Sequence, residues 1–318
     1  MAKLKFIYEY EKLIAGMENK SVLTPDGDYY KEETIRVWKS KIGIFSDYQK
    51  HLNRKIRLAD IDFGWTEKFH LYLLSENYAK NSISNINSTL KAFLRRMYRA
   101  GKMRYNGDGI RCQNEITTAV FSDISDLRKL YHHDFSKTAG YARVRDVYIC
   151  QCFLGLRVSD MMSFISDLKL HTKNINDKTF FEIKTRKTGE VVVIPAADVV
   201  LEIAERRNFD FGKSFSRSYY EREISKVVAI AGIDKDILFH RTEGGKVVER
   251  VVKYSDLICT HTARRTFATN AYLSGLNPLD IMKITGHKTF NSFIRYIRCE
   301  NMNVALKISD HEFFKTRL

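Results

Sequence analysis

The sequence predicts an α+β protein, mostly α-helical with a small β-sheet, divided into two domains. Three observations lead there. Apolar residues recur at the 3–4 spacing of amphipathic helices through the first third of the chain. Two short β-rich runs stand close together in the middle, joined by a polar connection containing glycine. The 318 residues also amount to about two domains at roughly 150 residues each.

Along the chain, Ile35, Trp38, Ile42, Phe45 and Tyr48 predict a first long helix, behind an acidic first turn at Glu32 and Glu33. A second helix is expected near Thr66–Tyr78. A third is expected from Ser82 to Ala100, with Ile83, Ile86, Leu90, Phe93 and Met97 on one face. Its C-terminal half carries Lys91, Arg95, Arg96 and Arg99 away from that face, and Gly101 is a stop signal. Asn106–Glu115, with two glycines and no apolar period, is the expected linker, so the domains are placed at 1–110 and 111–318. In the second part helices are expected at Asp123–His132, Tyr141–Phe153 and Val158–Phe164. The runs Thr179–Lys184 and Glu190–Ile194 form a predicted hairpin. Further helices are expected at Ala197–Arg207 and Arg217–Ala231. Gly244-Gly245 marks a turn between extended segments, and helices resume from Thr262 to the end.

Composition narrows the function. With 44% hydrophobic and 29% charged residues and only three prolines, the chain is neither collagen-like nor predominantly disordered. Lys and Arg number 53 against 38 Asp and Glu, a net charge of +15 that attracts polyanions, nucleic acid first. Residues 1–110 hold 20 basic against 13 acidic residues and the remainder 33 against 25, so the excess is +7 and +8 and both parts are basic. Met1–Phe6 starts no signal-peptide apolar run, and nowhere do about 18 apolar residues stand together, which argues against a membrane protein. Cys112, Cys150, Cys152, Cys259 and Cys299 are odd in number and lack CxxC spacing, so neither a disulfide framework nor a zinc ribbon is expected, and the cytoplasm is the expected location. His132-His133 point to different helix faces, and no metal site is expected there.

Four short segments carry chemistry when taken together: Gly155-Leu156-Arg157-Val158-Ser159-Asp160; Lys187-Thr188-Gly189 with Pro195 eight residues beyond the lysine; His261-Thr262-Ala263-Arg264; and Gly286-His287 with Tyr296 nine residues after the histidine. Alone, each has an ordinary explanation, such as an i,i+3 surface pair or a core tyrosine. In this order and spacing they resemble the catalytic set of the tyrosine recombinases, the phage-integrase, Xer and Cre family. The N-terminal helical part is similar to that family's core-binding (SAM-like) domain, which implies a tyrosine-recombinase catalytic domain after it.

The resemblance implies a covalent mechanism. Tyr296 is the nucleophile, storing the phosphodiester energy as a phosphotyrosine ester. Arg157 and Arg264 carry the guanidinium forks for the phosphorane oxygens. Lys187 protonates the leaving 5′-oxygen, although Lys184 and Arg186 flank it. His261 hydrogen-bonds the phosphate or helps take the tyrosine proton, and His287 contacts the phosphate as a donor. Asp160, one turn past Arg157, positions that arginine or neighbouring backbone, or is a plain helix-surface carboxylate. Tyr272 and Tyr254 are the reserve nucleophiles. No metal and no other cofactor is implied, because arginines do the charge neutralisation.

Two departures stand out: Thr285 precedes Gly286-His287 where leucine is usual, and Arg265 follows Arg264 where histidine is frequent. The partners implied are double-stranded DNA with inverted-repeat core sites and further copies of the chain, a dimer on each site and a tetramer in the synapse. The tail Ile297–Leu318 would dock onto a neighbouring protomer. About 30 residues precede the first expected helix, which leaves little room for an arm-site domain and tilts the expectation to a simple recombinase or invertase. A type IB topoisomerase-like enzyme and a non-catalytic DNA-binding relative are the competing readings.

Overall fold

The computed structural model describes residues 4–298, 305, 308–309 and 312–315. It is mostly helical with small antiparallel sheets and divides into two compact units, residues 1–118 with 239–250, and residues 119–238 with 251–318.

Unit 1 is built on α1 (Phe6–Glu18), α2 (Glu32–Lys39), α3 (Ile42–His51), α4 (Phe63–Ser75) and α5 (Lys80–Arg99). Its core is aromatic: Phe6 meets Phe45 and Phe93 edge-on at 5.0 and 5.5 Å, and Trp65 stacks on Phe69 at 5.5 Å. Helix α1 was not anticipated, although Phe6, Tyr10, Leu13, Ile14 and Met17 give it a buried stripe. The single helix expected through Ile35–Tyr48 is two helices. Ser40 turns its hydroxyl onto the Val37 carbonyl, and the Lys41 N–H bonds to Trp38 in a tightened turn, yet the apolar face runs on across the break. The stretch 106–115 lacks regular structure but is tied down: Asn87 donates to the Arg111 carbonyl at 2.7 Å, and Asn81 brackets the Glu115 backbone.

Unit 2 opens with α6 (Ile124–His132), capped reciprocally by Asp123 and Asp126. It continues through α7 (Ala139–Leu154), α8 (Val158–Ser166) and the short α9 (Leu168–His171). A sheet ordered β1-β2-β3 follows: β1 (Thr172–Ile175), β2 (Lys178–Lys184) and β3 (Val191–Pro195). Phe181 faces Ile194 and Ile183 faces Val192, so alternate residues point into the core. Next come α10 (Asp198–Arg206), α11 (Arg217–Ile230) and the hairpin of β4 (Asp236–Glu243) and β5 (Lys246–Lys253). After it stand α12 (Tyr254–Leu257), α13 (Thr260–Leu273), α14 (Pro278–Thr285) and α15 (Phe290–Ile294). Helix α7 is buried nearly all round, as a helix at the centre of a unit must be, and α6, α10, α11 and α13 pack on it.

The hairpin turns where Gly244-Gly245 indicated. Its tip, residues 239–250, belongs to unit 1, where the Thr242 N–H bonds to the Glu115 carboxylate at 2.9 Å. Among the described residues no helix is long and apolar enough to cross a membrane. Most of the tail expected to dock on a neighbour (299–304, 306–307, 310–311 and 316–318) lies outside the described residues, as does Cys299.

Candidate active site

Helix α7 ends at Gly155 with φ +64°, where a Cβ would stand 2.5 Å from the Phe267 ring, so both the left-handed turn and the close approach require glycine. The loop after it is held by Gln151, fully buried in α7, whose amide donates to the Leu156 carbonyl at 2.9 Å and accepts from the Tyr220 hydroxyl at 3.1 Å. This places Arg157 at the N-cap of α8, with its side chain 16% exposed.

One turn on, Asp160 is 1% exposed, so the helix-surface alternative is overturned. Its Oδ1 accepts the Arg186 backbone N–H at 2.9 Å, and its Oδ2 faces Arg157 Nη1 at 4.0 Å. A single carboxylate thus joins the arginine to the turn between β2 and β3. Lys187 follows Arg186 on that turn, exposed, in a loop closed by the Gly189 N–H on the Thr185 carbonyl at 2.9 Å.

Helix α13 starts at Thr260, whose hydroxyl donates to Glu221 at 2.9 Å. His261 lies in the first turn on the surface. Arg264, a turn later, is 2% exposed and the bulkiest of the fully buried side chains. Its Nη1 donates to the Gly155 carbonyl at 2.8 Å, and its Nη2 donates to the Thr285 carbonyl and to His287 Nε2, the latter at 3.2 Å. Helix α14 ends at Gly286 with φ +63°, which turns His287 back towards Arg264. Tyr296, half-buried, follows α15. Its ring centre is 4.8 Å from that of His287, 6.4 Å from that of His261 and 5.5 Å from the Arg264 guanidinium carbon.

Arg264, His287, His261 and Tyr296 therefore form one cluster, with Arg157 and Asp160 beside it. Two arginines share one buried carboxylate, and Arg157 Nη1 and Arg264 Nε are buried without a hydrogen-bond partner. Such N–H groups are costly unless an anion completes them. Burial, followed by the charges of Arg264 and Arg157, pushes the His287 pKa down to about 3. Desolvation, then Arg265, Arg217 and Arg264, lowers that of His261. Both shifts favour the neutral ring. The Arg264 pKa is pushed down by burial first and by Arg157 second.

The reserve nucleophile Tyr254 is a core residue, 2% exposed and bonded to Ser122 at 2.9 Å. In unit 1, Lys91 is half-buried and Arg99 exposed. Arg95 pairs with Asp108 at 3.7 Å and Arg96 donates to the Leu23 carbonyl at 3.0 Å, so two of the four expected DNA contacts have partners within the chain. Gln151, Glu221 and Thr285 were not singled out as site residues. A glutamine inside the apolar run of α7 and a threonine at a usually apolar position were the available signals.

The helical N-terminal unit and the mixed unit after it have the fold seen in tyrosine recombinases. Residues 5–108 match the phage integrase SAM-like domain family model. The chain is similar to the solved Tn1549 transposon integrase in complex with transposon right end DNA, with a TM-score of 0.68 and 14% identity over 98% of this chain and 100% of that one. It is also similar to the XerH site-specific recombinase bound to palindromic difH substrate, with a TM-score of 0.62 and 13% identity over 96% and 85% of the two chains. A lambda integrase tetramer bound to a Holliday junction matches at 0.64, with 14% identity over 92% and 77%. At these identities the likeness establishes the fold. No curated protein sequence matches the chain.

Proposed function

We propose that the chain is a site-specific DNA recombinase that cleaves and rejoins strands through a covalent 3′-phosphotyrosine and a Holliday junction. The observation that carries this reading is the buried Arg264, 5.5 Å from the Tyr296 ring, with the part-buried Arg157 near it, each holding an enclosed N–H without a partner. A phosphodiester is an anion of the right geometry for those forks. The Tyr296 oxygen attacks the phosphorus and the P–O5′ bond breaks. The phenol proton passes to neutral His261 and the leaving 5′-oxygen takes a proton from Lys187. Arg157 and Arg264 hold the non-bridging oxygens as charge builds. Asp160 fixes both Arg157 and the turn bearing Lys187.

In this reading residues 1–110 bind core DNA, with Lys91, Arg95, Arg96 and Arg99 towards the phosphates, and residues 111–318 cut it. The partners are inverted-repeat duplex sites and further copies of the chain, two per site and four in the synapse, in the cytoplasm. The matched SAM-like region at 5–108 and the net charge of +15 support this.

A nicked substrate carrying the recombination site tests the reading, because the short 5′-hydroxyl fragment diffuses away and the covalent complex accumulates. Wild type is expected to form that complex in EDTA. Tyr296→Phe should bind DNA and form none, and Arg264→Ala should cleave on the order of 10²–10³-fold more slowly. A covalent complex with Tyr296→Phe, or a requirement for Mg²⁺, would overturn the reading.

A further inference from the structure

The residue before Gly286-His287 is a threonine, and the structure uses its hydroxyl. Thr285 is 1% exposed, and its Oγ1 stands 2.7 Å from the Ile281 carbonyl oxygen and 2.7 Å from His287 Nδ1. A hydroxyl has one proton. That proton can point to the Ile281 carbonyl, leaving Oγ1 a lone pair for an Nδ1–H, or to Nδ1 if that atom is bare. On the other side of the ring, Arg264 Nη2 stands 3.2 Å from Nε2, and an arginine can only donate, so Nε2 must be bare. Nδ1 therefore carries the ring proton, Oγ1 accepts from it, and the hydroxyl's own proton goes to the Ile281 carbonyl.

That tautomer has a consequence for Arg264. The guanidinium is held at three points: the Gly155 carbonyl at Nη1, and the Thr285 carbonyl and His287 Nε2 at Nη2. The Nε–H stays unpartnered. Two of those three points depend on Thr285, one through its backbone and one through its side chain acting on His287.

We propose that Thr285 is a positioning residue: its hydroxyl locks His287 in the Nδ1–H tautomer, so that the bare Nε2 accepts from Arg264 and sets the guanidinium for the phosphate. His287 then acts as an acceptor that aims an arginine. This differs from the phosphate-donor role that the resemblance implied for it. An apolar side chain at 285 would leave Nδ1–H enclosed without an acceptor and so disfavour the tautomer that the Arg264 contact requires. The kinetic consequence rests on the recombinase reading; the tautomer itself does not.

The test uses the full chain labelled with ¹⁵N-histidine, and wild type, Thr285→Val and Thr285→Ser in parallel. Imidazole ¹⁵N–¹H correlation spectra without DNA read the tautomer, and His287→Gln assigns the signal. Wild type and Thr285→Ser should show the Nδ1–H pattern at neutral pH, and Thr285→Val should lose it. Single-turnover cleavage of the nicked substrate should be about tenfold slower in Thr285→Val, the worth of one such hydrogen bond, with DNA affinity unchanged and the rate restored in Thr285→Ser. Thr285→Ala replaces Thr285→Val if circular dichroism shows the valine protein unfolded. An unaltered tautomer in the hydroxyl-free variant, an Nε2–H pattern in wild type, or a wild-type cleavage rate without the hydroxyl would each overturn the proposal. If wild type forms no covalent complex at all, the recombinase reading fails, and the spectra still decide the tautomer.

Discussion

Asp160 offers a way to separate what holds Arg157 from what holds the turn of Lys187. Its two oxygens do different things: Oδ1 takes the Arg186 N–H at 2.9 Å, and Oδ2 compensates Arg157 at 4.0 Å. Asp160→Asn keeps an oxygen for Arg186 and removes the charge. Asp160→Ala removes both. Two unit charges at that separation interact by about 4 kcal/mol at an effective dielectric of 20, and removing one partner of a buried pair costs about 3–5 kcal/mol. The asparagine variant should therefore lose about 3 kcal/mol of stability in unit 2. The alanine variant should lose about 1 kcal/mol more for the orphaned N–H. Urea unfolding followed by far-UV circular dichroism reads the total, whereas tryptophan fluorescence reports unit 1, since Trp38 and Trp65 both lie there. Amide exchange across 185–190 reads the turn: it should quicken in Asp160→Ala and stay near wild type in Asp160→Asn. Equal exchange in the two variants would refute the division of labour. A loss below about 1 kcal/mol in both would refute the buried pair as a structural element.

Two further outcomes follow from the site. Gly155→Ala forces a left-handed φ on alanine, costing about 1–3 kcal/mol, and drives its Cβ into Phe267. The melting temperature should fall and cleavage should fall with it, because Arg157 hangs from that turn; an unchanged melting curve would be inconsistent with the geometry. For pH, His287 has a folded pKa of about 3 against an unfolded value near 6.5, so below pH 6.5 the unfolded chain gains a proton that the folded one refuses. Its contribution is absent above that range and destabilises progressively as pH falls towards 3, by roughly 2 kcal/mol near pH 5. His287→Gln should flatten that slope in urea midpoints measured across the range, and an identical slope in both proteins would contradict the shift.

Much of the fold was legible because periodicity reports burial. The stripes of α5 and the alternation of β2 and β3 appear in the sequence as they stand in the structure, and Gly155 and Gly286 mark helix ends where φ is positive. The misses have physical causes. Helix α1 has a full apolar stripe but no capping residue, since Lys5 precedes it, so no start signal drew attention to it. The break at Ser40-Lys41 leaves the apolar face intact and so has no periodic signature. The short strand β1, Thr-Lys-Asn-Ile, alternates too little to register. At the site, residue types and order pointed to Arg157, Arg264, His287 and Tyr296, but the partners of these groups are set by tertiary geometry. That Arg95 and Arg96 have intramolecular partners at Asp108 and Leu23 could not be read from a charge run.

The electrostatics of unit 2 explain why such a site has to be built from buried parts. Arginine is the one cation that stays charged when enclosed, and enclosure gives its interaction with a phosphate more strength than water would allow. Enclosure also makes the charge costly: the pKa of Arg264 is lowered first by its own burial and then by repulsion from Arg157. One carboxylate and three backbone or ring acceptors relieve part of that repulsion, and none of them uses Arg264 Nε or Arg157 Nη1. The folded chain thus keeps an unfilled demand for negative charge next to a tyrosine and two neutral imidazoles. A second carboxylate there would ease the repulsion and remove the affinity for a phosphate on which the proposed reaction depends. Holding Asp160 back to one oxygen for Arg157, with the other on the turn of Lys187, keeps the site short of neutral while tying together the two elements that, in the proposed reaction, meet the same phosphodiester.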